Sequence, residues 1–375
     1  MTETTTGTTT GTTTEELAQR LVGATTGALE LFAVHLGREL GLYSCLAEQG
    51  PATAEELATR TGLDARYVRE WAEQQAVAGM LDVTGLPEGP DPAVAGQPGH
   101  APAFGLPVAG RRVLVDAEDP WHVGPLADLV AGIGGVLDRL PAAYRSGSGV
   151  PFEAYGEALR RGQAGINRPA FVHDLPDWLA TLPELHAATE GDALRVADVA
   201  CGEGWSTLGL AAALPTARVD GFDLDHASVE AARGHAVGSP VADRVAFHLV
   251  DAADPSALTG PYDLVTVFEA LHDMARPVEA LAAIRGALAP DGVLLVADER
   301  VADRFKPDAG DVERLMYGWS VTHCLPAALA TRPSAALGTV LRSDRVGELA
   351  VEAGFGSIEV LPIEHDFFRF YLLRP

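Results

Sequence analysis

Val196-Ala197-Asp198-Val199-Ala200-Cys201-Gly202-Glu203-Gly204, followed by Trp205, Ser206 and an apolar segment, reads as a strand that turns sharply into a helix. Glycines at such a turn let the backbone approach a ligand closely, because a Cβ there collides with it. Outward from this stretch, short apolar runs at 195–199, 218–222, 244–250, 264–268 and 293–296 alternate with segments of helical texture. Alternation of that kind specifies a parallel sheet with helices on both faces, an α/β fold. Two last runs, 357–363 and 367–373, are separated by a short gap and predict an antiparallel hairpin at the sheet edge.

The tips of these strands carry acids. Asp198 and Glu203 flank the first turn, Gly221-Phe222-Asp223-Leu224 ends the second strand, and Val250-Asp251-Ala252 follows the third. A nucleotide dinucleotide lays its pyrophosphate on the helix N-terminus, which acids on the same loop oppose. A ligand carrying an ammonium and a sulfonium is favoured by them. S-adenosylmethionine (SAM) is therefore the expected cofactor. Asp223 on the second tip is placed to accept hydrogen bonds from a ribose diol, a feature common to both ligand classes.

In order and spacing these elements resemble class I SAM-dependent methyltransferases. The turn is similar to their Asp-hydrophobic-Gly-x-Gly-x-Gly motif, with Ala200 in place of the first glycine; Asp251-Ala252 resembles their adenine-binding pair, and Ala289-Pro290-Asp291-Gly292 their Leu-x-Pro-Gly-Gly loop. The resemblance covers about residues 190–375 and implies a Rossmann-like seven-stranded sheet of order 3-2-1-4-5-7-6, strand seven antiparallel. It further implies that Asp198, Ala200, Gly202 and Gly204 hold the methionine portion, Asp223 and Leu224 the ribose, and Asp251 with Ala252 the adenine, while Phe268 packs near the sulfonium.

Ahead of this domain the pattern changes. Residues 1–14, mostly threonine, read as a disordered tail with neither a signal peptide nor a transit peptide. Leu17, Leu21, Leu29, Leu31, Phe32, Val34 and Leu40 predict one or two helices, weakened between Gly23 and Gly27. Thr53 and Glu56 form a capping box for a helix ending near Gly62, and Asp64 caps the next. Residues 81–83, a Pro- and Gly-rich loop over 85–110, and a return at 112–115 complete a winged helix. The expected organisation is a winged-helix domain over 15–115, mostly α, a helical connector over 116–189 and a SAM-binding domain over 190–375. The resemblance to small-molecule methyltransferases of bacteria and plants implies that the first domain dimerises and closes over the substrate.

Composition narrows the function. The net charge is −25, and Lys306 is the lone lysine among 27 basic residues, so the surface repels phosphate backbones and anionic lipid. Residues 1–115 hold seven Arg against fourteen Asp plus Glu, which argues against a DNA-binding regulator, since a DNA reader shows a basic stripe. No run of about 18 apolar residues is present, so neither nucleic acid nor membrane is an expected partner. Cys45, Cys201 and Cys324 show no paired spacing, which fits a cytoplasmic protein without disulfides. The family resemblance implies a small-molecule substrate of secondary metabolism, and the apolar helices before Thr53, which need a partner surface, predict a homodimer.

Leu271-His272-Asp273, just after the fourth strand, resembles the Leu-His-Asp-Trp segment that supplies a histidine base in O-methyltransferases, and matches it up to Met274. His272 is the candidate general base for in-line methyl transfer, with Asp273 or Glu269 orienting it. Tyr155, Asn167, Arg168, His173, Trp319, His323 and His365 are candidate substrate contacts. A metal pocket of His272, His323 and His365 with Asp273 or Asp366 lacks any local ligand spacing, so no metal is expected. The same fold also hosts SAM-assisted chemistry other than methylation, an alternative the residues leave open.

Overall fold

The computed structural model describes residues 12–86, 101–188 and 194–375. The chain divides into two compact units, Met1–Val115 and Asp116–Pro375.

In the first unit a single helix, Thr14–Glu39, runs unbroken through Gly23 and Gly27. Its start is fixed by Thr13, whose side chain accepts from the Glu16 backbone while Glu16 reaches back, a capping box inside the stretch read as tail. Residues 1–11 of that tail lie outside the described residues. Leu42–Gln49, Ala54–Thr61 and Ala65–Val77 follow as helices, the last two capped by Thr53 with Glu56 and by Asp64. The wing differs from expectation. β1 (Ala52–Thr53), β2 (Asp82–Thr84) and β3 (Ala103–Gly105) form a sheet of order β1-β3-β2. The returning strand is thus 103–105, not 112–115. Pro107 has fixed φ and caps the helix Val108–Leu114, which consumes the apolar residues read as strand. Most of the wing loop, 87–100, lies outside the described residues.

The second unit is built on β4 (Arg195–Val199), β5 (Arg218–Asp223), β6 (Val245–Leu249), β7 (Tyr262–Phe268), β8 (Leu288–Glu299), β9 (Ser357–Val360) and β10 (Phe368–Arg374). Their order is β6-β5-β4-β7-β8-β10-β9, which is 3-2-1-4-5-7-6 counted within this sheet. β10 pairs antiparallel with both β8 and β9, while β4 to β8 are parallel. Strand side chains alternate between faces. Val196, Leu264, Phe268, Leu295 and Phe370 build one core, and Ala197, Val265, Val267, Val296 and Tyr371 build the other. Burial on both faces explains why the strands read as continuous apolar runs. The helices of 116–188 belong to this unit: Trp178, Leu179 and Leu182 join the first core. The order reverses between β4 and β7, and the crevice beyond the carboxyl ends at such a point is where open α/β sheets bind ligands.

Candidate active site

A cavity of about 770 Å³ opens at those strand tips. Ala200, Gly202, Asp223, Leu224, Asp251, Ala252 and Phe268 line it, together with Glu269 and Asp273. Ala200 has φ +59°, so the position where glycine is usual keeps a glycine-like backbone despite its methyl. Gly202 has φ +53°, and a Cβ there would meet no protein atom within 4 Å. That space belongs to the cavity. Asp223 Oδ2 accepts the Gly202 N–H and Oδ1 the Asp225 N–H, both at 2.8 Å, which locks the second tip to the first turn. Burial pushes the Asp223 carboxyl up, partly offset by these backbone donors. Asp251 accepts the Ala253 N–H at 2.9 Å and pairs with Arg276.

Two expected cofactor contacts fall elsewhere. Asp198 is 1% exposed and is not part of the cavity wall. Its carboxylate accepts from Ser206 Oγ at 2.6 Å, Thr207 Oγ1 at 2.7 Å and Thr266 Oγ1 at 2.8 Å, so it latches β4, β7 and the helix Trp205–Ala213 together. Gly204 is also off the wall: a Cβ there would lie 2.7 Å from Phe247 and 2.8 Å from Ala232. It serves helix packing. Asp198→Ala is expected to lower stability by about 3 kcal/mol, because three hydroxyls lose a charged acceptor. An unchanged thermal melting midpoint would contradict the latch.

On the far side of β7 the chain turns at Glu269, held at φ +51° with its N–H on Ala297 O at 2.7 Å. The Glu269 carboxylate accepts from Asn167 Nδ2 and is hydrogen-bonded to Glu299. Burial raises both carboxyls; Glu269 pushes Glu299 further up, whereas the hydrogen bonds to Asn167 and Glu299 partly offset the rise at Glu269. His272 is 2% exposed and lies off the cavity wall, behind Asp273. Its Nδ1 is 2.9 Å from Asp298 Oδ1, and Nε2 is 3.5 Å from Asp273 Oδ1. Asp298 also accepts the backbone N–H groups of His272 and Glu299. Burial alone depresses the imidazole, but the Asp298 and Asp273 carboxylates outweigh it and hold the ring well above its ordinary value. The orienting group on Nδ1 is thus Asp298, rather than Asp273 or Glu269.

Residues 190–354 match the family model of a methyltransferase domain, and residues 27–85 that of the Rv2258c-like winged HTH domain. Residues 190–354 thus carry a methyltransferase domain, and the fold is that of class I SAM-dependent methyltransferases. Among the curated relatives of this chain, 3-amino-4-hydroxybenzoate 4-O-methyltransferase of Streptomyces cremeus is 26% identical over 288 residues, 75% of this chain and 73% of that one. An uncharacterized Synechococcus protein is 32% identical over 123 residues, and that match spans 30% of its length and 32% of this chain. The fold is shared with a mitomycin 7-O-methyltransferase (20% identity, TM-score 0.66) and with human N-acetylserotonin methyltransferase in complex with SAM (17%, 0.68), each over 97% of this chain and 99% of the other. The second of these structures holds SAM, and the acid-rimmed crevice with open space at Gly202 in this chain fits the cationic groups of such a ligand.

Of the candidate substrate contacts, Asn167 alone is on the cavity wall. The Tyr155 hydroxyl donates to Thr322 O at 3.0 Å, and the Tyr155 ring packs edge-on against buried His323 at 4.7 Å. Trp319 packs against the apolar cluster around Leu159. Arg168 stacks 3.8 Å over Trp205 and pairs with Glu118, whose carbonyl contacts His173 Nε2 at 2.7 Å. His365 stacks on Phe368 at 4.6 Å, its Nδ1 accepting the Phe367 and Phe368 N–H groups, which takes it out of any pocket with His272. The wall is formed instead by Arg160, Gln163, Asn167 and Phe171, on one face of the helix Gly156–His173, and by Met274, Ala327, Ala328 and Thr331. A helical stripe at that spacing is visible in the sequence. Among the described residues no helix is long and apolar enough to cross a membrane.

Proposed function

We propose that the enzyme moves the methyl group of SAM to a small-molecule acceptor by in-line displacement, with His272 taking the acceptor's proton. The observation that carries the reading is one cavity bounded by Asp223 and Asp251 on one side and by Glu269 and Asp273 on the other. Gly202 and Ala200 would face the methionine portion, Asp223 with Leu224 the ribose, Asp251 with Ala252 the adenine, and Phe268 the sulfur. SAM supplies an activated methyl on a sulfonium. The chain's task is to position the acceptor, exclude water and accept a proton. Asp298 fixes Nδ1 of His272, so Nε2 is the nitrogen that faces Asp273, which is itself on the cavity wall. Asn167 and the Ala327–Ala328 wall would orient the acceptor.

Incubation with SAM and candidate acceptors, beginning with 3-amino-4-hydroxybenzoate and other aminophenols, tests this. S-adenosylhomocysteine and methylated product should appear in equal amounts. An acceptor consumed without S-adenosylhomocysteine would replace methyl transfer by another SAM-assisted reaction.

A homodimer is part of the proposal. Leu17, Leu21, Val22, Leu29 and Leu36 are each half exposed or more along the helix Thr14–Glu39, an apolar stripe that a second copy would cover. Sedimentation at micromolar concentration is expected to give a dimer, and Leu21→Glu with Leu29→Glu a monomer; a wild-type monomer would contradict it. Cys45, Cys201 and Cys324 are each buried and unpaired, which favours a reducing, cytoplasmic setting.

A further inference from the structure

Behind the acidic rim of the cavity, three metal-ligating atoms converge. A ring nitrogen of His272, an Asp273 carboxylate oxygen and Cys324 Sγ all lie within 4.8 Å of one another, with His272 and Cys324 buried. The 3.5 Å between Nε2 and Asp273 Oδ1 is close to the separation of two ligand atoms each about 2 Å from one tetrahedral ion. The imidazole is oriented for ligation as well. Asp298 holds Nδ1 at 2.9 Å and is itself pinned by two backbone N–H groups. A carboxylate on the far nitrogen is the arrangement that fixes tautomer and ring at metal-bound histidines.

Two buried polar atoms at this place make no hydrogen bond: Asp273 Oδ1, 3.5 Å from His272 Nε2, and His323 Nε2. Unmade bonds in a buried polar cluster call for an unseen ligand. The charge balance points the same way, since Asp298 and Asp273 both act on the single His272 imidazole, with Glu269 and Glu299 adjoining. A thiol and an imidazole beside one carboxylate select a borderline-soft divalent ion over Mg²⁺ or Ca²⁺, which prefer all-oxygen shells. Asp273 also lines the cavity, so the site is reachable from it. The thiol proton has an acceptor at hand in His323 Nδ1, 3.5 Å from Sγ.

We propose that His272, Asp273 and Cys324 bind a thiophilic divalent cation of the zinc class, and that the bound ion and proton acceptance by His272 exclude each other because both need Nε2. The second half rests on the proposed role of His272; the first half stands without it. Loading releases the thiol proton, and the imidazole proton where the ring carries one, to solvent.

The test is titration of metal-free, full-length protein with Co²⁺, read by absorption. One equivalent should produce tetrahedral d–d bands and a sulfur-to-cobalt charge-transfer band, both abolished by one equivalent of Zn²⁺. Cys324→Ser should lose the charge-transfer band while SAM affinity is unchanged. Asp298→Asn should weaken Co²⁺ binding about 10- to 100-fold, the usual effect of removing an orienting carboxylate. No charge-transfer band at stoichiometric Co²⁺, or a band that survives Cys324→Ser, overturns the site. In the methylation assay, Zn²⁺ filling the site should stop product formation and a chelator restore it; full turnover with the site occupied overturns the exclusion. A protein that makes no methylated product under any condition still gives its cobalt spectrum, so failure of the functional reading is distinguishable from failure of the site.

Discussion

Asp223→Ala is expected to weaken SAM binding about 100-fold or more while the protein stays folded. The carboxylate at the β5 tip is the acceptor facing the cavity between the Gly202 turn and Asp251. Two hydrogen bonds from a ribose diol to a charged acceptor contribute about 1.5–3 kcal/mol each, and about 1.4 kcal/mol is tenfold in affinity. The substitution also removes the acceptor for the Gly202 and Asp225 N–H groups, so Asp223→Asn serves as the companion variant. It retains one carbonyl oxygen for the turn and is expected to fall between wild type and alanine. Equilibrium dialysis with labelled SAM gives the affinities, and circular dichroism the fold. An alanine variant that binds SAM like wild type would remove Asp223 from the cofactor site.

His272→Ala is expected to leave SAM affinity intact and to lower turnover about 10²- to 10⁴-fold, the range for a positioned acid–base group. Asp298→Asn should share most of that loss. Asp298 accepts the Nδ1 proton of a ring that is 2% exposed, and an amide in its place no longer compels the tautomer with a free Nε2. Residues acting as one unit give non-additive losses, so the double variant should be barely slower than His272→Ala. Fully active single variants would leave His272 a packing residue.

What the sequence disclosed follows from how local each signal is. The Thr53–Glu56 capping box and the acids at the ends of β5 and β6 are set by neighbours within a few residues and are readable, whereas the Thr13–Glu16 box is hidden in a threonine-rich stretch. Asp198 sits away from the expected ligand face because a strand-tip acid looks the same whether it faces a ligand or three hydroxyls; Ser206 and Thr207 are near in sequence, but Thr266 comes from another strand. The wing strand was misplaced because a three-residue strand at Ala103–Gly105 carries less apolar pattern than the helix after Pro107. Asp298 on His272, and Cys324 beside it, are meetings of β8, the turn after β7 and the helix near 320–324. Only the tertiary fold brings them together. The cavity-facing stripe of the helix Gly156–His173 lay between these cases: its period is local, but which face the cavity takes is not.

The most direct measurement is calorimetric titration of the purified chain with S-adenosylhomocysteine and, separately, with a nicotinamide dinucleotide. One saturable site per chain is expected for the sulfur nucleoside, lost in Asp223→Ala, with no heat from the dinucleotide. Saturable binding of the dinucleotide, or none of the sulfur nucleoside, would contradict that expectation.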